Sequence, residues 1–364
     1  MKRIICNTKF QLNPFGDGGS KRSVQIRQLY EDSGFSFDED IFILPKGLRF
    51  FELLKLSLRA ILFIHKHYPF KIWSIGKYFN LIKYYALRIP IVMDKYADKD
   101  VLFSWENTQD KDMLYLMKRT GHKIIGLPHN IESLVSDKST LKLQKEIENL
   151  KYCDLVFAIS KEETWLLRLM GVNAHYLPYY PPREVVAFLE DVRLKRDNRV
   201  ANNIKHFLLL GSATNPPTKD GMQCIIDYAS KKAFDFNISV AGYGTEILNQ
   251  ASIPNVDFLG TLSMHDLEKQ IITADAIIIF QPPTTGALTR IPEMLIAGIP
   301  VFVNFDAARD YHNVEDVVIY DSFDDLLSKL ETFNPHQAHY YSRNSIFEKS
   351  FATYVSSSLD EIEE

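Results

Sequence analysis

The sequence predicts an α/β protein of two Rossmann-like domains, each a parallel sheet flanked by helices. Three observations carry that expectation. Short apolar runs alternate with longer amphipathic stretches along most of the chain, the pattern of parallel strands joined by crossover helices. A stretch near the middle, Tyr179-Tyr180-Pro181-Pro182, reads as a linker and places the boundary between residues 1–180 and 181–339. The 364 residues, 46% hydrophobic and 24% charged, suffice for two full cores in an ordinary soluble composition.

Taken in order, Lys2–Thr8 is an opening strand. The loop that follows contains Gly18-Gly19, which lets the backbone come close to a ligand. Ser20 is expected to cap a helix running to about Glu31. Leu48–His67 and Ile75–Arg88 read as two helices in a segment unlike the rest: residues 46–95 carry ten Lys or Arg against two acids, Glu52 and Asp94, with aromatics interleaved. Two readings stand for it. The helices cover a sheet face with lysines outward, or they form a basic, aromatic surface for a membrane or an acceptor. No nucleic-acid motif accompanies them, and a net charge of −4 gives no argument for nucleic acid either.

Val101–Trp105 is a strand and Gln109–Thr120 a helix. Lys123–Leu127 is a strand ending in Pro128-His129-Asn130-Ile131-Glu132, which puts His129 at a strand's carboxyl end, where open α/β sheets take ligands. Leu155–Ile159 is a strand, and Ser160-Lys161-Glu162-Glu163 is a capping box opening a helix to about Met170. His175–Leu177 precedes the linker, and Glu184–Asn203 is a charged surface helix and connector.

In the second half, His206–Leu210 is a strand leading into the loop Gly211–Gly221, which holds Ser212 and Lys219. Lys219 is either a phosphate cation or a solvated lysine at a helix start. Ile238–Ala241 runs into Gly242-Tyr243-Gly244, and Val256–Leu259 into Gly260-Thr261-Leu262. Ala276–Phe280 enters a loop containing Thr285, Gly286, Ala287 and Leu288. A short helix follows, with Pro292 in its first turn, Gly298 at its left-handed end and Pro300 beyond; Val301–Val303 is again a strand. The helix start offers free N–H groups for an anion. Arg290 adds a cation, and Glu293 a carboxylate that could accept two ribose hydroxyls. The plain alternative is that Glu293 complements the helix dipole and Arg290 is a surface residue.

Several classes lose support. No Gly-x-Ser-x-Gly, His-Glu-x-x-His or Walker loop is present. Cys6, Cys153 and Cys224 have neither metal spacing nor a disulfide pattern, which suits a reducing cytoplasm. The start, MKRIICNTKF, is too short in apolar length for a signal peptide, and no run approaches the ~18–20 apolar residues of a membrane span. Asp98-Lys99-Asp100 and Asp110-Lys111-Asp112 read as turns and caps rather than as a divalent-ion site.

Gly286, Arg290, Glu293 and Ala297-Gly298-Ile299-Pro300-Val301 together resemble the nucleotide-sugar site of GT-B glycosyltransferases, in particular glycosyltransferase family 4. His129-Asn130-Ile131-Glu132 is similar to that family's His-Asn-x-Glu, Gly18-Gly19 to its first-loop double glycine, and Gly211–Gly221 to the first loop of its second domain. The resemblance spans the chain in outline and is strongest over residues 205–304. It implies the GT-B fold, two Rossmann-like domains facing across a cleft, with a tail helix of about residues 340–364 packed back on the first. It implies transfer of a sugar, with retention, from a nucleotide-diphosphate sugar to a hydroxyl of a glycan or lipid-linked acceptor. The setting implied, together with the basic aromatic segment, is bacterial surface-polysaccharide assembly; the cysteines suit the cytoplasm, and residues 46–95 suit peripheral contact with anionic membrane.

The same resemblance implies catalytic roles for His129, Arg290 and Glu293, with His129 facing the transferred sugar. Donor contacts would come from Gly18, Gly19, Gly211, Ser212, Lys219, Gly242, Leu262, Thr285, Gly286, Ala287, Leu288, Arg290 and Glu293. Acceptor contacts would come from Asn130 and Glu132. Neither metal nor other cofactor is expected; Arg290, Lys219 and helix N–H groups would balance the diphosphate. The chain departs from the family at Thr285, where many members have Glu, and at Ser212 and Thr218, where Arg and Asn are usual. Two alternatives are a GT-B-fold nucleotide-sugar epimerase, which needs no acceptor, and a non-catalytic nucleotide-sugar-binding subunit.

Overall fold

A computed structural model of the chain describes residues 3–37, 50–67, 101–108, 111–137, 139–200, 204–248 and 252–360. The expected helix Ile75–Arg88, the pair Asp98-Lys99-Asp100 and Asp110 lie outside these residues. The chain divides into two compact units, Met1–Pro178 with Asn344–Glu364, and Tyr179–Arg343.

The first unit contains β1 (Arg3–Asn7), α1 (Gly18–Asp32), β2 (Ser36–Phe37), α2 (Phe50–His67), β3 (Val101–Trp105), α3 (Lys111–Lys118) and β4 (Lys123–Gly126). A π turn (Ser133–Asp137), α4 (Thr140–Leu150), β5 (Leu155–Ala158), α5 (Lys161–Leu169) and β6 (Ala174–Tyr176) follow. The strands form one sheet in the order β2-β1-β3-β4-β5-β6, every pair parallel. Successive side chains of a strand point to opposite faces, so a sheet covered on both sides needs unbroken apolar runs. The strands comply. Val101, Phe103 and Trp105 pack with Ile124 and Val156 on one face, and Leu102 with Ile4, Ile125 and Phe157 on the other. The C-terminal helix, Ser345–Asp360, belongs to this second face: Phe351 and Val355 are fully buried there, the Phe351 ring 5.1 Å from Tyr30 and 4.8 Å from Phe157.

One of two expected helix starts differs in detail. The cap of α1 is Asp17, whose carboxylate accepts from the Ser20 amide at 2.8 Å; Ser20 itself sits in the first turn. Both residues are competent caps, and a cap at Asp17 draws Gly18 and Gly19 into the helix. Ser160 does cap α5 by accepting from the Glu163 amide at 3.2 Å. The Glu163 carboxylate accepts from the Ile131 amide at 2.8 Å, which ties α5 to the loop carrying His129.

The second unit runs α6 (Arg183–Asp197), β7 (His206–Leu210), α7 (Pro216–Ala229), β8 (Asn237–Ala241), a 3₁₀ turn (Thr245–Leu248), β9 (Val256–Gly260), α8 (Met264–Thr273) and β10 (Ala276–Ile279). It continues with α9 (Arg290–Ile296), β11 (Val301–Asn304), α10 (Phe305–Ala308), β12 (Val317–Tyr320) and α11 (Phe323–Thr332). Its sheet is parallel in the order β12-β11-β10-β7-β8-β9. Leu208, Ile277, Val301 and Val303 face one core; Phe207, Leu209, Ile278 and Phe302 face the other. The stop of α9 is local chemistry. Gly298, at φ +83°, donates to the Leu295 carbonyl at 3.1 Å and Ile299 to that of Met294 at 2.9 Å, a Schellman closure sealed by Pro300. The helix expected to be a surface element buries one face, Val185, Leu189 and Val192 against the core and Arg196 at its end. Arg196 of α6 is buried and donates to the carbonyls of Ile271 (2.5 Å), Ile272 (2.9 Å) and Ala274 (2.7 Å), at the end of α8.

Strand order reverses between β1 and β3 in the first sheet and between β7 and β10 in the second. At such reversals, neighbouring connections leave to opposite sides and open a crevice at the strands' carboxyl ends.

Candidate functional site

At the second unit's reversal, three loop starts meet on bare backbone. Gly211 follows β7, Gly242 follows β8, and Arg290 opens α9 after the β10 loop. The Arg290 guanidinium donates through Nη1 to the Leu210 carbonyl, and its Nη2 lies 3.4 Å from Thr218 Oγ1. A Cβ on Gly211 would fall 2.5 Å from Arg290 Nη1, so the guanidinium rests against a position that only glycine leaves open. Gly242 has φ +129°, and its Cβ would meet the Gly211 carbonyl oxygen at 2.0 Å. Burial pulls the Arg290 pKa down to about 10, opposed by the charge of Glu293, so the group remains a cation at neutral pH.

Glu293, one turn further, is buried at 5% exposure, and its Oε1 accepts from the Tyr179 hydroxyl at 2.7 Å. Tyr179 is itself buried and begins the unit. In the sequence it reads as part of a linker; in the structure it is a buried partner of Glu293. The loop after β10 is braced by residues that the sequence did not single out. The Asn304 side chain accepts from the Gln281 amide and donates to its carbonyl, each at 2.9 Å, while Arg309 donates to the Thr284 carbonyl. Gly286 takes φ +83° in that loop, among Thr285 and Ala287. Leu262 and Leu288 pack against the core, so they offer main-chain atoms rather than side chains to a ligand. The Leu262 turn is held by Glu246, which accepts from the Thr261 amide at 2.7 Å. Hydrogen bonds from the main-chain N–H groups of Glu246 itself and of Thr261 hold its carboxyl below the usual range. Ser212 Oγ lies 2.7 Å from Thr214 Oγ1, and Lys219 is exposed on α7.

The first unit's reversal gathers a second group. Thr8 follows β1 and Glu106 follows β3. Glu106 Oε2 accepts from Thr8 Oγ1 at 3.0 Å and from Ser23 Oγ of α1, and lies 2.8 Å from His129 Nε2. The Phe10 ring stacks on the imidazole, centroids 4.4 Å apart and planes within 5°. Gly19 has a packing reason for lacking a side chain, since its Cβ would fall 2.2 Å from the Phe10 ring; Gly18 is exposed. Asn130 and Glu132 sit on the same loop as His129. The Glu132 and Ser133 amides donate to Glu146 at 3.0 and 2.9 Å, which fixes the loop's far end. A cavity of about 50 Å³ lies here, lined by Phe10, Glu106, His129, Asn130 and Glu132 among others. Glu106 had no motif to announce it. Burial, reinforced by the charge of Glu106, pushes the thiol of nearby Cys6 far above the ordinary range and disfavours its thiolate. Among the described residues no three His, Cys, Asp or Glu side chains are placed to hold a metal ion.

Neither a family model nor a curated protein matches the chain. Solved structures do. Anabaena HepE superposes at TM-score 0.55 with 12% identity, over 100% of this chain and 98% of that one. Sucrose-phosphate synthase from Thermosynechococcus elongatus superposes at 0.56 with 12% identity, over 99% and 94%. The fold is GT-B. TarM superposes at 0.52 with 13% identity over 77% of this chain, which spans only 57% of TarM. At such identities the likeness is one of fold. Within this GT-B chain the residues singled out from the sequence fall at both reversals. Arg290, Glu293, Gly211 and Gly242 come together in the second unit, and His129, Asn130 and Glu132 in the first.

Proposed function

We propose that the protein is a glycosyltransferase that moves a sugar from a nucleotide-diphosphate sugar to a hydroxyl of a glycan or lipid-linked acceptor. The observation that carries this reading is Arg290, a cation fixed against the bare backbone of Gly211 with the buried carboxylate of Glu293 one turn away. Cation and carboxylate suit a diphosphate and a ribose at adjacent points. That HepE has been solved with UDP-glucose, and with UDP and glucose, supports the donor class. In this reading Arg290 and Lys219 take the diphosphate and Glu293 the ribose, with the base against main-chain atoms at Leu262. Gly211, Ser212, Gly242, Thr285, Gly286, Ala287 and Leu288 shape the donor site. His129 meets the transferred sugar, while Asn130 and Glu132 meet the acceptor. The reaction is retaining and needs no metal, because Arg290 and main-chain N–H groups balance the leaving diphosphate.

A thermal-shift panel of UDP-, GDP-, ADP- and CMP-sugars, run with and without EDTA, tests this. One nucleotide class should raise the melting temperature, since a ligand at a hundred times its Kd stabilises the folded state by about 2.7 kcal/mol. The shift should survive EDTA. A flat response to the whole panel would reject the donor site, and a shift abolished by chelation would reject the metal-free reading.

We also place the protein at the cytoplasmic face of an anionic membrane, in surface-polysaccharide assembly. Helix α2 supports this. Phe51, Leu54, Leu58 and Leu62 form one exposed apolar stripe, with Phe51 at 79% and Leu62 at 69% exposure, and Lys55, Arg59 and Lys66 are exposed beside it. No helix among the described residues is long and apolar enough to cross a membrane. Basic residues at an anionic surface contribute roughly 1 kcal/mol each. Co-sedimentation with liposomes should therefore rise with anionic lipid content and fall in Leu58→Glu and Leu62→Glu. Binding independent of anionic lipid would remove the membrane from the proposal.

A further inference from the structure

At the first unit's strand reversal, Glu106 Oε2 lies 2.8 Å from His129 Nε2. We propose that Glu106 is a positioning residue that fixes neutral His129 as the Nε2–H tautomer, so that Nδ1 presents a lone pair to a sugar hydroxyl. The assignment of the hydroxyl to a sugar rests on the transferase reading; the tautomer does not.

The argument begins with one oxygen. Glu106 Oε2 accepts from Thr8 Oγ1 at 3.0 Å and from Ser23 Oγ, and lies 2.8 Å from His129 Nε2. A carboxylate accepts hydrogen bonds and donates none, so a ring nitrogen this close to it must carry the proton. Neutral imidazole has a single N–H. With that proton on Nε2, Nδ1 is an acceptor. The ring cannot readily turn to exchange the two nitrogens. Phe10 lies flat on it at 4.4 Å, and Phe10 is held by Gly19 beneath its ring and by its own amide, which donates to Thr8 Oγ1 at 3.2 Å. Thr8 thus serves both the carboxylate and the ring that clamps the imidazole.

His129 Nδ1 is buried and makes no hydrogen bond in this structure. A buried polar nitrogen without a partner is unfavourable and calls for a donor from water or ligand. The cavity beside it, about 50 Å³, admits a water or a hydroxyl group but not a sugar ring. A ligand hydroxyl would reach it from outside. With Nδ1 as acceptor, the site selects a group that brings its own proton, which a sugar hydroxyl does.

Nitrogen NMR of the histidine-labelled full chain tests the proposal in the free protein. In the neutral ring, His129 Nδ1 should show the far-downfield shift of an unprotonated imidazole nitrogen. Its Nε2–H proton should be downfield and slow to exchange. In Glu106→Gln that proton should move upfield or be lost to exchange, because a neutral amide is a weaker acceptor. Thr8→Val, which removes a different donor to Glu106, should keep the Nε2–H tautomer. A neutral wild-type ring with Nδ1 protonated and Nε2 bare overturns the proposal, as does an unmoved Nε2–H signal in folded Glu106→Gln. If Glu106→Gln fails to fold, the wild-type spectrum alone decides between the two tautomers. The readout needs no nucleotide sugar, so a flat donor panel would sink the transferase reading while leaving the tautomer result standing on its own.

Discussion

Glu293→Gln is expected to lower donor affinity by roughly ten- to a hundredfold, the equivalent of losing a charge-assisted hydrogen bond worth about 1.5–3 kcal/mol. The substitution keeps size, and the new amide oxygen can still accept from the Tyr179 hydroxyl that now lies 2.7 Å from Oε1. What it removes is charge. Arg290→Ala should also weaken binding, through a different part of the ligand. Its effect should persist with free nucleoside diphosphate and shrink with nucleoside, whereas the Glu293 effect should survive in the nucleoside. Tyr179→Phe should cost less affinity than Glu293→Gln, because it frees the carboxylate's orientation and keeps its charge. If Glu293 only complements the helix dipole, its replacement would cost a few tenths to 1 kcal/mol of stability and leave affinity untouched. Calorimetric titration of the variants with nucleoside and nucleoside diphosphate separates these outcomes. Unchanged affinity in folded Glu293→Gln protein would end the assignment of this stretch to the nucleotide.

What could be read from the chain was what local chemistry decides. Strands β3 and β7 stand where unbroken apolar runs put them, at Val101–Trp105 and His206–Leu210. The end of α9 follows from Gly298 and Pro300 alone. Arg290 and Glu293 stand out as candidates because a short motif holds them together. The residues that escaped notice owe their roles to neighbours distant in sequence. Glu106 is an acid after a tryptophan until β1 and β3 pair, which brings Thr8 within 3.0 Å of it. Tyr179 looks like a linker residue until α9 turns Glu293 towards it. Arg196 belongs to a charged helix, and only the open carbonyls at the end of α8 give a reason to bury it. Asp17 and Ser20 show a different limit. Two competent caps three residues apart leave the choice to the helix as a whole.

Gly221→Ala should destabilise the protein, although helix propensity alone predicts the reverse. Gly221 lies inside α7, where alanine is favoured over glycine by up to about 1 kcal/mol. Here, however, a Cβ would fall 1.9 Å from the Phe280 carbonyl oxygen. Both partners are fixed to main chain, so no rotamer relieves the overlap and α7 must move away from the end of β10. Overpacking of this kind costs about 3 kcal/mol at the upper end of its usual range. That exceeds the propensity gain by about 2 kcal/mol and corresponds to a fall of roughly 4–8 °C in melting temperature for a domain of this size. The displacement also reaches the candidate donor site, because α7 carries Thr218, which lies beside Arg290 Nη2. Donor affinity should fall even where the variant remains folded at the assay temperature. A melting temperature equal to or above that of the wild type would show that α7 does not approach β10 this closely, and that the Arg290 site does not depend on glycine at position 221.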